Sequence, residues 1–128
     1  MTTILLVDDD PLQAFVRMSE LEKKFHDVQR VADPVEAFCM VEQAQFAGNL
    51  GLVIADLGMP GLGAPAFVAE MHERLPGVPV LVLGDAKGTA AQYPADGVRF
   101  LAQPIASEEM LSAASQLLAR EGARRRVQ

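Results

Sequence analysis

Apolar residues occur along this chain in short blocks, each closed by acids, glycine or proline. Ile4 to Val7 is the first, ended by Asp8, Asp9, Asp10 and Pro11. Leu52 to Ala55 is the central one, entered from Gly51 and left through Asp56 and the turn Gly58-Met59-Pro60-Gly61. Val78 to Leu83 is another apolar run and ends in Gly84 and Asp85. Continuous apolar blocks of this length predict strands buried on both faces. Val28 to Val31 reads as a weaker strand and Val98 to Leu101 as the last one.

Between these blocks the period lengthens to that of a helix. Leu12, Phe15, Val16, Leu21 and Phe25 are expected to form the buried stripe of a first helix, and Ala37, Phe38, Val41 and Ala44 that of a second. A third is expected over residues 65–75 with Phe67, Val68, Met71 and Leu75 inward, and a last one with Met110, Leu111, Ala114, Leu117 and Leu118 inward. Start signals agree: Asp10 before Pro11 with Gln13 beyond it, Asp33 before Pro34 with Glu36, and Ser107 ahead of Glu108 and Glu109. The interval from Gly84 to Val98 holds Gly88, Pro94 and Gly97 and no amphipathic period, so a fourth helix there is expected to be short or absent.

Strands alternating with helices demand a parallel sheet covered on both faces. Right-handed crossovers then favour a doubly wound α/β fold, a five-stranded parallel sheet in the flavodoxin-like order 2-1-3-4-5, whose ligand crevice lies between the first and third strands. Those two strands end in Asp8, Asp9 and Asp56. Taken alone, Asp56 serves equally well as a turn starter. Gathered with the other acids at one sheet edge, it reads as a chemical group.

Carboxylates held together repel, and a cation or a proton must resolve the cluster. Magnesium suits oxygen donors, whereas no Cys or His lies near these strand ends to favour zinc. His26 and His72 read as surface or packing residues and the single cysteine, Cys39, as a buried packing residue. A cation beside a carboxylate nucleophile suits phosphoryl transfer, with Asp56 as acceptor.

Composition narrows the picture. The chain has 128 residues, half of them hydrophobic, which suits one domain, taken as 1–121, followed by a basic tail or linker start at 122–128. A net charge of −6 argues against direct nucleic-acid binding, although Arg120, Arg124, Arg125 and Arg126 cluster at the end. With no signal-peptide pattern and no apolar run of membrane-spanning length, a cytoplasmic protein without membrane contact is expected.

Ile-Leu-Leu-Val-Asp-Asp-Asp-Pro at 4–11, Ala-Asp-Pro-Val-Glu-Ala at 32–37, Val-Ile-Ala-Asp-Leu-Gly-Met-Pro-Gly-Leu at 53–62, Val-Pro-Val-Leu-Val-Leu at 78–83 and Arg-Phe-Leu-Ala-Gln-Pro at 99–104 carry a resemblance. Together they resemble the receiver domain of two-component response regulators over nearly the whole chain. The resemblance implies that a histidine kinase or phosphotransfer protein donates a phosphoryl group to Asp56. It further implies a magnesium ion on Asp9, Asp56 and the main-chain carbonyl of Gly58, with Asp8 acting mainly through bound water. Such a chain is a signalling domain and not an enzyme, beyond catalysing its own phosphoryl transfer and dephosphorylation. Its output partner would meet the face built by the fourth helix, fifth strand and final helix, and a homodimer is a further option.

The chain departs from the family at the switch. Gly84 stands where the family has Thr or Ser, Gln103 where it has Lys, and Asp85 where a small residue is usual. Phe100 holds the aromatic switch position, and would otherwise be plain core. A magnesium-binding receiver with an impaired or phosphorylation-independent switch is the favoured expectation. Its rivals are a working switch in which Gln103, aided by Lys87 or Thr89, replaces the missing groups, and a small magnesium-dependent phosphatase or nucleotide-binding module, against which stands the lack of a Gly-rich phosphate loop.

Overall fold

The computed structural model describes residues 2–56, 63–84 and 97–127, with residues 64 and 121–127 described by their backbone. Its elements in chain order are β1 (Thr3–Val7), α1 (Pro11–Glu22), β2 (Asp27–Val31), α2 (Pro34–Val41), α3 (Ala44–Asn49), β3 (Leu50–Asp56), α4 (Ala64–Arg74), β4 (Val80–Gly84), β5 (Val98–Ala102) and α5 (Ser107–Val127). The five strands form one parallel sheet in the expected order, β2-β1-β3-β4-β5. No helix among the described residues is long and apolar enough to cross a membrane. The expected short or missing helix between Gly84 and Val98 lies outside the described residues.

The buried strands alternate strictly between two cores. Leu5, Val7, Val53, Ala55, Val80 and Val82 face one side, where Ala37, Val41, Phe67, Val68 and Met71 of α2 and α4 cover them. Ile4, Leu6, Leu52, Ile54, Leu81 and Leu83 face the other, against Ala14, Leu21, Met110, Ala113, Ala114 and Leu117 of α1 and α5. Period-two alternation inside fully apolar strands is what a sheet covered on both faces requires.

Several expectations are corrected. The central strand does not stop at Gly51 but runs through it from Leu50, because Gly51 forms a bulge: Thr3 pairs with Leu50, yet Ile4 pairs with Leu52. A Cβ on Gly51 would meet the Thr2 methyl and Leu118, so a larger residue there would have to displace these side chains. The fourth strand starts at Val80 and not Val78, since Pro79 has no N–H to donate; its carbonyl instead accepts from Val53 at 3.1 Å. The second expected helix is two, because Gln43 takes an extended conformation, and Ala44 is exposed. Cys39 is exposed as well, two positions from buried Ala37 and Val41 and thus on the opposite side of α2. Ser107 opens α5 as its first residue, the carbonyl of Ala106 accepting from Met110.

The largest correction concerns α1. Its inward face is Ala14, Arg17, Met18 and Leu21, whereas Leu12, Phe15 and Val16 are 80, 71 and 57% exposed. Both candidate stripes have helical spacing, and the strand-end acids decide between them by drawing Arg17 inward. The Asp10 and Asp33 caps form as expected: Asp10 accepts from Leu12 and Gln13, and Asp33 from Glu36 at 2.9 Å. Phe67 is fully buried and its ring stacks on Phe38 at 5.4 Å, with the Arg74 guanidinium 4.9 Å from the Phe38 ring centroid.

Phe67→Ala is expected to cost about 3–5 kcal/mol in urea unfolding. Leu12→Ala, on the outward face of α1, is expected to stay within about 0.5 kcal/mol of the parent.

Candidate functional site

The parallel register places Val7 opposite Ala55, so the next residues of the two chains, Asp8 and Asp56, emerge side by side at the carboxyl edge of the sheet. Asp8 is fully buried and Asp56 is 7% exposed. Asp56 is the last residue of β3 and is held in register by Leu83 of β4. Asp8 is clamped by its backbone: its N–H donates to Val31 at 3.1 Å, and its carbonyl accepts twice from the Arg30 guanidinium, at 3.1 and 2.8 Å.

Between the carboxylates lies a cation. Arg17 Nη1 donates to Asp8 Oδ2 at 2.9 Å and to Asp56 Oδ2 at 2.6 Å, with only 11% of the arginine side chain exposed. Gln103, just past β5, donates from Nε2 to the same Asp56 oxygen at 3.0 Å. Its own backbone N–H is fixed by the Gly84 carbonyl at 2.7 Å. Asp8 Oδ1 accepts from the Asp10 backbone N–H at 3.0 Å, which leaves Asp10 oriented to cap α1.

Burial raises the Asp8 carboxyl above its ordinary value of 3.8. The Asp10 N–H and the Arg17 charge work in the opposite sense, and the neighbouring Asp56 adds to the rise. His72, on α4 and away from the crevice, is lowered by burial and takes no part.

Asp8 and Asp56 thus come together with Gln103, while Asp9 is exposed and Gly58 and Asp85 lie outside the described residues. Among the described residues no three His, Cys, Asp or Glu side chains gather as a metal site. The two carboxylates nonetheless offer the hard oxygens a divalent ion prefers, and they already bracket a positive group. Arg17 was not among the expected site residues. Its signal was a charge at 17 sharing the inward face of α1 with Ala14 and Leu21.

Gly84 and Phe100, which pair with neighbours along β4 and β5, form the other part of the site. A Cβ on Gly84 would sit 2.8 Å from Cε2 and 3.2 Å from Cζ of the Phe100 ring. The ring therefore occupies the space a side chain at 84 would need. Beside the crevice, a groove of about 380 Å³ runs between α1 and the start of α5, lined in part by Val16, Arg17, Glu20, Gln103 and Ile105.

The five-stranded parallel fold with acids at its carboxyl edge is that of a receiver domain, and the sequence comparison agrees. Residues 4–115 match the response regulator receiver domain family, and the chain belongs to it. It is 31% identical over 123 residues to the transcriptional regulatory protein BasR of Escherichia coli (strain K12), covering 91% of this chain and 52% of that protein. It is also 25% identical over 122 residues to the sensor kinase CckA of Brucella abortus (strain 2308), covering 93% of this chain but only 13% of the kinase. The chain thus spans about half of one of these relatives and a smaller part of the other. A response regulator receiver domain protein from Clostridium thermocellum superposes with a TM-score of 0.86 at 19% identity, over 96% of this chain and 98% of that one.

The raised Asp8 means that the folded protein holds that proton more tightly than the unfolded chain does. Stability from this group is therefore lost as pH rises from about 3.8 through the raised value. Asp8→Asn, which keeps an oxygen for the Asp10 N–H, is expected to gain stability relative to the parent on going from about pH 3 to about pH 7 in thermal melts.

Proposed function

We propose that this receiver domain accepts a phosphoryl group on Asp56 from a histidine kinase or phosphotransfer protein, and that its conformational switch is impaired. The observation that carries the second half is the Gly84–Phe100 contact, in which the ring fills the space of the missing hydroxyl residue. A rotamer change that reports phosphorylation needs a hydroxyl at 84 to move and a gap for the ring to enter. Gly84 has no hydroxyl, and the gap it leaves is already filled by the ring.

The ligands proposed for magnesium are Asp9, Asp56 and the carbonyl of Gly58, with Asp8 acting through water. When bound, the ion would neutralise charge on the incoming phosphoryl group. Asp56 would act as the nucleophile, and Gln103 would stay beside it as a neutral donor. A bond from a charged donor is worth about 1.5–3 kcal/mol against about 1 for a neutral one, so the phosphorylated form gains less from Gln103 than from a lysine. Exposed Leu12, Phe15 and Val16 supply an apolar rim on α1, suited to a protein phosphodonor that must reach a nearly buried carboxylate. The proposed receiver unit is 1–121, with 122–128 as a basic tail or the start of a linker. Output is proposed through β5, α5 and the segment before β5, to a protein or a following domain, in the cytoplasm.

One observation favours a second reading, a working switch: Gln103 touches Asp56 directly, as a substitute for lysine would. Labelling separates the two. With acetyl phosphate and magnesium, intact-mass spectrometry is expected to find slow, incomplete phosphorylation that Asp56→Asn abolishes, with amide NMR shifts confined to the crevice. Complete labelling with large shifts from residue 84 through α5 would establish the working switch. Gly84→Thr combined with Gln103→Lys should lengthen the lifetime of the phosphorylated form under the impaired reading and leave it unchanged under the other.

The packing itself is testable. Gly84→Ala is expected to cost about 1–3 kcal/mol by overpacking against the ring, and clearly less in a Phe100→Ala background, as read from a double-mutant cycle.

A further inference from the structure

The positive charge that the family places at the end of the fifth strand is missing from Gln103, yet the crevice is not without a cation. Arg17 reaches in from α1 and a single nitrogen, Nη1, bonds both Asp8 Oδ2 and Asp56 Oδ2. Those oxygens are of the kind a divalent ion would seek, and two cations cannot share them at contact distance. Arg17 also lines the groove beside the crevice, together with Glu20 one turn further along α1. Glu20 now pairs with exposed Lys23 at 3.1 Å. A guanidinium that leaves the carboxylates therefore has open space to enter and a second carboxylate to meet there.

We propose that Arg17 is a displaceable counter-cation, which closes the crevice in the metal-free protein and competes with a divalent metal ion for Asp8 and Asp56. The proposal rests on the reading that this crevice takes such an ion for phosphorylation of Asp56, and adds that the ion must first expel a side chain of the protein itself. Cation affinity is then set from α1 as well as from the acids, and the resting protein keeps Asp56 masked by its own arginine.

The test measures magnesium affinity by titration calorimetry, and thermal midpoints in chelator and in magnesium, for the parent, Arg17→Gln and Arg17→Lys. Gln removes the charge while keeping a donor; Lys keeps the charge but lacks the fork. Arg17→Gln is expected to bind magnesium on the order of tenfold more tightly than the parent. It should also melt lower in chelator and gain more from the metal. A variant that folds only when magnesium is present supports the proposal equally. Should Arg17→Gln fold in neither condition, tighter binding by Arg17→Lys supports it and unchanged binding overturns it. Equal or weaker binding by a folded Arg17→Gln overturns the counter-cation role while leaving phosphorylation of Asp56 in place. Absence of binding in every variant overturns it together with the magnesium site, and acetyl phosphate labelling of Asp56 then reports separately on the acceptor.

Discussion

Two carboxylates are held side by side at the end of buried parallel strands, and the site is built around them. Asp8 is fully buried and Asp56 nearly so, so charge repulsion and desolvation act together. The molecule answers with the Arg17 guanidinium, which arrives from the next element in the chain and is itself almost wholly withdrawn from solvent. The orientation of α1 follows from this. A helix that could have buried Leu12, Phe15 and Val16 instead buries Ala14, Met18 and Leu21 and leaves the larger apolar residues outside.

The second half of the site is steric. β4 and β5 lie in register at Val82 and Phe100 and at Gly84 and Ala102, and the Phe100 ring leans over the one position on β4 that has no side chain. Where a hydroxyl and an aromatic residue would exchange places, the aromatic has the space to itself. The two positions thus differ in kind: at 84 the ring fills the place of a side chain, and at 103 a neutral amide bonds Asp56 beside the Arg17 guanidinium.

Much of this was legible in the chain. Continuous apolar blocks ending in acids specify parallel strands, and their order with intervening helices leaves little choice of topology. Asp10 and Asp33 announced their caps, and the convergence of Asp8 and Asp56 followed from strand order alone. What stayed hidden depends on choices that period alone does not make. Helical spacing permits two stripes on α1 that share Leu21; Leu21 and Phe25 pack inward as expected, and Leu12, Phe15 and Val16 do not. Cys39 looked like core because cysteine is usually buried, but its offset from Ala37 and Val41 turns it outward. Arg17 escaped notice because an arginine in a helix reads as solvent-facing until the acids opposite it are known.

The bulge at Gly51 has an effect at the far end of the sheet. From Ile4 onward β1 and β3 run one residue out of phase with the pairing of Thr3 and Leu50. Had the initial phase persisted, Asp8 would lie opposite Ala55, and Asp56 would project one step past its neighbour. A glycine with no chemistry of its own, some five residues from the nearest acid in the strand, thereby sets the vernier by which two carboxylates meet one guanidinium nitrogen.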